Sequence, residues 1–599
     1  MTQHTMEEEI FTGKIDLALW RKLLTFAWPY RVLFCCLISL GISVAVWDTL
    51  LPRIAGLIVD AVTAQSQSGL HRHIAQYVTV LAVFVGCIFS FILVAGRLAT
   101  NLSFDIREAA FEKLQQLTFS YYDRKAVGWL MARLTSDCST LSRIMGWALL
   151  DLCWGPTAII GVGVMMFRLN WRLACIVLAV TPLLVVVARF FQVRLLLTSR
   201  ALRKANSQTT AAFNEGIVGV RTTKSLVREE NNLEEFTHLT GAMYSHAIRN
   251  ALYQATFVPL MLSICTVGAA LILWRGGLQV HTDSMSIGQL FTFLFYAGFV
   301  QWPVQELCNS ITQVQAAQAS AERIVSLLDA EIEIRDSGDL RDPPEQITSI
   351  EFRDVSFSYI AGQEVLKNFN LTINPGESIA LVGATGGGKS TIVGLACRFY
   401  EPTSGQVLIN GIDYRGLPLH WLQSHLGMVL QQPHLFSGSI KENIRYGRLN
   451  ATDAEVEEAA KLVHAHEFIM ELKDGYDAPV GEGGNQLSTG QKQLIALARA
   501  IIAQPQIFVM DEATSSVDTQ TERTIQSAIE AVLAGRISFV IAHRLSTIRR
   551  ADRILLIENG EIVEEGNHHD LLAQRGRYYD LYTNQFTHDR QEAALSEED

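Results

Sequence analysis

Residues 381–391 read "LVGATGGGKST", and the reading of this stretch decides half of the fold. Gly383-x4-Gly388-Lys389-Ser390 has the spacing of a phosphate loop, a turn leading from a strand ("SIALVG") into a helix ("STIVGLACRFY"). Glycines let successive backbone N–H groups converge on phosphate oxygens. The candidate cradle is therefore Gly383, Ala384, Thr385, Gly386, Gly387, Gly388, Lys389, Ser390 and Thr391. Lys389 adds positive charge toward the β- and γ-phosphates, and Ser390 offers a hydroxyl to Mg²⁺. Such a match arises by chance in roughly 2 % of chains this long, so a second motif has to decide.

"IFVMDEA" (507–513) supplies it. Four apolar residues predict a buried strand whose end presents Asp511 toward a metal and Glu512 toward an attacking water. A carboxylate beside the γ-phosphate can orient and polarise that water, which is most of what phosphoryl transfer asks of a protein.

The first half of the chain has a different texture. The 599 residues predict two or three domains, and a hydrophobic fraction of 49 % with mean hydropathy +0.20 is high for a soluble enzyme. Charged residues make up 18 %, below the usual ~25 % of soluble domains. A net charge of −11 argues against a nucleic-acid partner. The nine cysteines form no CxxC or Cys/His ligand spacing and read as small buried residues. The polar, acidic start "MTQHTMEEEIFTGKID" shows no cleavable signal or transit peptide.

Up to about residue 325, apolar runs recur at 31–62, 78–96, 144–167, 173–188, 251–274 and 285–304. Several reach the ~20 residues that carry a helix across ~30 Å of hydrocarbon. The connections 97–143 and 189–250 hold 7 and 9 Lys/Arg, whereas 63–77, 168–172 and 275–284 hold 1, 2 and 1. That asymmetry places both termini in the cytoplasm of a multi-pass protein. The amphipathic rhythm of "SFDIREAAFEKLQQL" (103–117) predicts that the membrane helices continue into the cytoplasm as rods. Near 330–347 the sequence turns charged and carries Pro343–Pro344, a linker. Beyond it, "SIEFRDVSFSY", "SIALVG", "GQVLIN", "QIFVMDEA" and "ISFVIAH" alternate with helical runs, which reads as an α/β domain with a largely parallel sheet.

Between the two phosphate motifs stands "LSTGQKQLIALARA" (487–500), which resembles the signature of ATP-binding-cassette (ABC) ATPases. "VLQQPHLF" (429–436) resembles their glutamine loop, "SSVD" (515–518) their D-loop, and "IAHRLST" (541–547) their switch-histidine segment. Tyr359, ending "VSFSY", matches the aromatic residue that stacks on adenine. Six spans ahead of one cassette, with "FSYYDRKAVGWLMARLTSDCSTL" (119–141) and "FNEGIVGVRTTKSLVRE" (213–229) as coupling segments, resemble half-size exporters of the type IV fold, kin to P-glycoprotein.

The resemblance implies roles. ATP and Mg²⁺ would be held by Tyr359 and the loop 383–391, with Ser390, Gln431 and Asp511 at the metal. Glu512, His543 and Gln431 would serve hydrolysis. Ser488, Gly490, Gln491 and Asp518 would complete a second chain's site. Two cassettes then close on two ATP molecules and drive alternating access. The chain thus reads as a multidomain membrane protein. An all-α six-helix transmembrane domain (1–330) and a linker (331–347) precede an α/β phosphate-loop ATPase domain (348–585), with a disordered acidic tail (586–599). The implied setting is a plasma membrane, the bacterial inner membrane, with lipid and a hydrophobic or amphipathic substrate (drug, lipid or small peptide) as partners. Import of a metal–siderophore and an ATP-gated channel stay open as alternatives.

The sequence departs from the family pattern at two places. Thr489 stands where the signature has its second glycine, and Ala478–Pro479 replace a polar pair ahead of Gly481–Glu482. With Lys389, Gln431, Asp511, Glu512 and His543 intact, a heterodimer that confines the altered signature to one site is expected over a homodimer. Within the spans, Asp48, Asp151, Glu306, Trp47, Trp147, Trp154 and Trp302 are candidates for a cavity lining, because intramembrane charge usually faces a cavity or a partner.

Overall fold

The structure, a computed structural model, describes residues 17–336, 342–360, 362–511, 519–542 and 545–583. These fall into two compact units, one of 17–116 with 127–330, the other of 117–126 with the residues from 331 onward.

The chain begins with helices α1 (Leu17–Ala27), α2 (Arg31–Thr63) and α3 (Gln67–Gln116). Helix α4 (Phe119–Arg124) belongs to the second unit. Then come α5 (Val127–Ala132), a π-helical turn Arg133–Asp137, and α6 (Cys138–Leu169). Helices α7 (Trp171–Val218), α8 (Val220–Ser225), α9 (Glu229–His281), α10 (Ile287–Phe299) and α11 (Gln301–Leu328) complete the first unit. Helices α3, α7 and α9 have 50, 48 and 53 residues. At ~1.5 Å per residue they run about 70–80 Å, more than twice the hydrocarbon thickness. The rods expected from the sequence are there, and the short run 173–188 is simply the membrane part of α7.

Five helical stretches among the described residues are long and apolar enough to cross a membrane. The sixth run differs from the expectation of one continuous span, because α10 and α11 meet in a break at Val300. Pro303 offers no N–H to the carbonyl four residues earlier, and its ring crowds that carbonyl, so the helix restarts there. Helix α10 lies tight on α2: a Cβ on Gly288 would stand 1.9 Å from the Gly56 carbonyl oxygen. Such small-residue contacts replace a hydrophobic driving force between helices in lipid. Asp60 of α2 accepts from the Ser286 hydroxyl and the Gly288 N–H, both at 2.7 Å, and so seats the start of α10. Below the apolar runs, buried Asp137 accepts from Arg133 at 2.6 Å and from Ser320 of α11 at 2.8 Å.

In the second unit, strands β1 (Ile350–Phe357), β2 (Leu366–Ile373), β4 (Ser404–Ile409) and β5 (Ile412–Asp413) form an antiparallel sheet in the order β2-β1-β4-β5. Strands β3 (Ser378–Val382), β6 (Leu426–Val429), β7 (Ile507–Asp511), β8 (Ile537–Ile541), β9 (Arg553–Glu558) and β10 (Glu561–Gly566) form the second sheet, ordered β10-β9-β3-β8-β7-β6. Five of these run parallel, with β10 antiparallel at the edge. The expected parallel sheet is present, but "SIEFRDVSFSY" and "GQVLIN" are not in it. Strand β1 largely alternates between buried and open faces and β4 is open over its first half, whereas β7 and β8 are buried almost throughout.

Candidate functional site

Strand β3 delivers the chain at Val382 into the loop 383–388, and helix α12 (Lys389–Ala396) carries it away. Gly383, Gly386 and Gly388 take φ of +139°, +85° and +107°, where a side chain would be strained. A Cβ at Gly383 would also lie 2.2 Å from the Ile557 carbonyl oxygen, so the loop packs directly on β9. The first-turn N–H groups of α12 have no acceptor inside the helix and point into the loop.

Lys389 is buried, at 6 % exposure, and its Nζ donates to the carbonyls of Gly383 at 2.7 Å and Ala384 at 2.9 Å. The ammonium thus curls back over its own loop. Burial lowers its pKa from the ordinary lysine value, and the negative charge of Asp511 works against that. Ala384, Thr385, Gly386 and Ser390 are exposed, while Thr391 is buried.

The parallel sheet assembles the rest. Adjacent strands β3, β8, β7 and β6 all end at the same edge, with Asp511 paired to Ile541 and Met510 to Val429. The phosphate loop follows β3, Asp511 closes β7, and exposed Gln431 stands two residues beyond β6. Ligands of such sheets bind beyond the carboxyl ends of the strands. Glu512, Asp518 and His543 lie outside the described residues.

The aromatic residue is placed by its neighbours. Tyr359 is 41 % exposed, and its hydroxyl lies 3.1 Å from the Thr391 hydroxyl on α12. Its ring stands edge-on to Phe357 at 4.8 Å and to Tyr400 at 5.2 Å. Burial raises the Tyr359 pKa, so the hydroxyl stays protonated near neutrality.

The signature is not part of this sheet-edge cluster. Ser488 caps the helix Thr489–Ile502: its hydroxyl accepts the Gln491 N–H at 3.2 Å, and the Gln491 side chain accepts the Ser488 N–H at 2.9 Å. Thr489 is exposed in the first helical turn, where its backbone is unstrained, and Gly490 is buried. Further along, Arg499 donates to the carbonyls of His434 and Asn443, both at 2.9 Å, tying this helix to the end of the glutamine segment. Residues 478–480 are held by backbone pairing: the Ile440 N–H donates to Ala478 at 3.1 Å and the Val480 N–H to Gly438 at 2.9 Å. Neither Arg499 nor Tyr400 stood out in the sequence, because each sits in a helical or loop context whose local pattern only says "surface".

These residues fit a nucleoside triphosphate with a hard cation. The cradle needs left-handed glycines, a buried ammonium lies at its mouth, and the nearby donors are hydroxyl, carboxylate and amide oxygens. Among the described residues no group of three His, Cys, Asp or Glu could hold a metal alone. A Mg²⁺ here would be shared between protein oxygens and phosphate.

Residues 34–304 match the family model of the ABC transporter transmembrane region, and residues 366–515 match the family model described as ABC transporter. The chain is 34 % identical to an ATP-dependent lipid A-core flippase of Syntrophus aciditrophicus, over 97 % of its own length and 96 % of that protein. The chain belongs to the ABC transporter family. Other relatives of this transporter include the ABC transporter ATP-binding protein YfiC of Bacillus subtilis, 37 % identical over 81 % of the chain and 80 % of that protein. The fatty acid ABC transporter ATP-binding/permease protein of Mycobacterium bovis is 37 % identical over 80 % of the chain and 75 % of that protein. This transporter is a multi-pass membrane protein that couples ATP hydrolysis to transport and works as a dimer of half-transporters.

In its membrane half, the candidate polar residues separate into two kinds. Trp154 is buried and donates to Asp48 at 2.9 Å, and the Ser310 hydroxyl donates to Asp151, so these pairs join helices. Trp47 donates to Ser43 at 3.0 Å within α2. Trp302 is 56 % exposed with its ring 5.4 Å from Trp154, and Trp147 is 40 % exposed. Glu306 is half-buried and makes no hydrogen bond or ion pair among the described residues.

Proposed function

We propose that this transporter is one half of an exporter moving lipids or other hydrophobic or amphipathic molecules outward by alternating access. The observation that carries its ATP-driven part is the buried Lys389 in a left-handed glycine loop, at the same sheet edge as the strand ending in Asp511. The relatives named for lipid A-core and fatty acid transport support an apolar substrate class. Nothing favours the importer reading.

In this reading Lys389 swings from the loop carbonyls to the β- and γ-phosphates, and the loop N–H groups hold the phosphate oxygens. Tyr359 stacks on the adenine. Ser390, Asp511 and Gln431 would hold Mg²⁺, which when bound would neutralise phosphate charge. Glu512 orients the attacking water and takes up its proton, and His543 contacts the γ-phosphate end. Ser488, Gly490 and Gln491, with Asp518, face the partner's nucleotide, because the signature does not share the sheet edge of its own phosphate loop. The partner is a different half-transporter, and the pair sits in a bacterial inner membrane; both termini lie in the cytoplasm, a reading supported by the 16 basic residues of the long connections. ATP-dependent uptake of labelled lipid or amphiphile into inside-out vesicles is the test. Uptake that needs ATP supports export. ATP-dependent release from preloaded inside-out vesicles, without uptake, would refute it.

A further inference from the structure

The residue following helix α12 by four positions, Tyr400, touches Phe357, Tyr359 and Gly394 in the cassette and Asp123 in the segment between α3 and α5. Its ring packs on Phe357 at 5.6 Å and on Tyr359 at 5.2 Å. It also lies on the backbone of α12, where a Cβ at Gly394 would stand 2.9 Å from Cδ2. Its hydroxyl donates to Asp123 of α4, a segment 277 residues earlier in the chain.

The turn that presents Tyr400 is held rigidly. Arg398 takes φ +53° and is 1 % exposed. Its guanidinium donates to Glu401 at 2.9 Å and to the carbonyls of Tyr414 and Leu417 at 3.0 and 2.9 Å. The Tyr414 hydroxyl in turn donates to the Tyr400 carbonyl at 3.3 Å. Helix α4 is seated beside it: Phe119 packs on Phe399 at 4.6 Å, and Ser120 and Arg124 both donate to Glu333. Burial first, then the hydrogen bond to Asp123 and after it the Asp123 charge, push the Tyr400 pKa up, so the hydroxyl remains a donor at any physiological pH.

We propose that Tyr400 is a positioning residue for the nucleotide base, and that its bond to Asp123 makes the base platform answer to the coupling segment. The inference rests on Tyr359 being the base-stacking residue. Tyr400 forms the wall that fixes the Tyr359 ring, while Thr391 fixes its hydroxyl. Asp123 holds Tyr400 against that ring. A shift of α4 therefore changes how well the platform is preorganised for adenine. By linkage, base binding biases the position of α4 to the same degree.

The test uses the assembled full-length transporter in proteoliposomes, with steady-state hydrolysis of ATP and of CTP. Tyr400→Phe keeps the ring and loses the bond to Asp123, and Asp123→Ala removes the acceptor. Each should raise KM for ATP about fivefold, the worth of one ordinary hydrogen bond. The effect should fall on KM rather than kcat, and should be smaller for CTP, whose single ring stacks on less of the platform. The double variant should be no worse than either single one. Unmoved KM in both variants, additive effects, or equal loss for ATP and CTP would overturn the proposal. Tyr359→Leu separates the two readings. If it raises KM for ATP while the other two variants do not, the Tyr400 inference alone falls. If it leaves KM unchanged, the base-stacking role falls and takes the inference with it.

Discussion

Gly394 and Tyr400 are in contact across the end of α12, with only the missing side chain of the glycine making room for the ring. Phe399 and Tyr400 both direct their N–H groups to the Gly394 carbonyl, at 2.9 and 3.4 Å, so the chain folds back over this residue. Phe357 and Tyr359 pack against the same ring, at 5.6 and 5.2 Å between centroids.

Gly394→Ala should accordingly overpack the joint between α12 and the aromatic wall. Inserted carbon in a packed site typically destabilises by about 1–3 kcal/mol. Alanine also favours the helix, by up to about 1 kcal/mol, so a net loss would show that the clash dominates. Thermal unfolding of the cassette transition in the full chain reads this directly. An unchanged or raised midpoint would mean that the wall yields.

Lys389 and Glu512 should separate binding from hydrolysis. Lys389 holds its charge where burial disfavours it, with a pKa below the ordinary lysine value. At neutral pH, Lys389→Met removes that penalty along with the two bonds to loop carbonyls. Stability without nucleotide should therefore not fall, while the rise in melting temperature on adding ATP should vanish. Glu512→Gln should keep the ATP-induced rise and slow turnover by about 10²–10⁴-fold, the usual worth of a positioned acid–base group. A Lys389→Met variant that still shows a full ATP-induced shift would remove 383–391 from the phosphate cradle.

His568 gives the cassette a pH-dependent joint. Its Nδ1 lies 2.8 Å from the Tyr578 hydroxyl, and Tyr578 is buried. Burial lowers the His568 pKa, and the positive charge of Arg549 lowers it further. The unfolded chain, with histidine near its ordinary value of about 6.5, takes up the proton first. The stability held by neutral His568 is therefore fully present above about pH 6.5 and is lost as pH falls through the lower folded-state pKa. Between pH 7.5 and 5.5, the melting temperature should drop more for wild type than for His568→Asn. Parallel pH profiles would contradict this.

Glu306 and Trp302 offer a carboxylate without a hydrogen bond or ion pair among the described residues and an exposed indole one turn apart on α11. A carboxylate in a partly desolvated place attracts an organic cation, and the indole face adds a cation–π contact. Transport of cationic amphiphiles should fall more than that of neutral ones in Glu306→Gln. Equal transport of both classes by wild type and variant would rule out a role in selection.

Thr489 bears on the partner. Its exposed side chain adds a Cβ and a branch at the start of the signature helix, where a partner's phosphates would approach the backbone. A chain expressed alone should therefore dimerise poorly or hydrolyse ATP weakly, and Thr489→Gly should raise that activity. A stable, substrate-stimulated homodimer indifferent to Thr489→Gly would refute the heterodimer.

What was legible in the sequence was local. The phosphate loop, the strand ending in Asp511 and the signature segment 487–500 are each contiguous, and their spacing carries the reading. The continuation of α3 past its apolar run was legible in the same way, from the amphipathic rhythm of 103–117, whereas the full extents Gln67–Gln116 and Glu229–His281 came from the structure. The break at Val300 could have been read from Pro303, but an apolar run by itself does not say whether a proline kinks or divides it.

The sequence by itself determined that a nucleotide cassette follows a set of membrane helices, because both features are carried by neighbouring residues and by composition. Tertiary structure alone decided which strands share a sheet, that Asp511 and Gln431 come to the same sheet edge as the phosphate loop, and that Asp123 reaches Tyr400. The physical reason is that strand order and long-range contacts depend on how faces and edges are buried against one another. A six-residue helix such as α4 has no pattern long enough to announce its partner. Its place is set by a pocket of Phe399, Tyr400 and Glu333, which exists only once the cassette has folded.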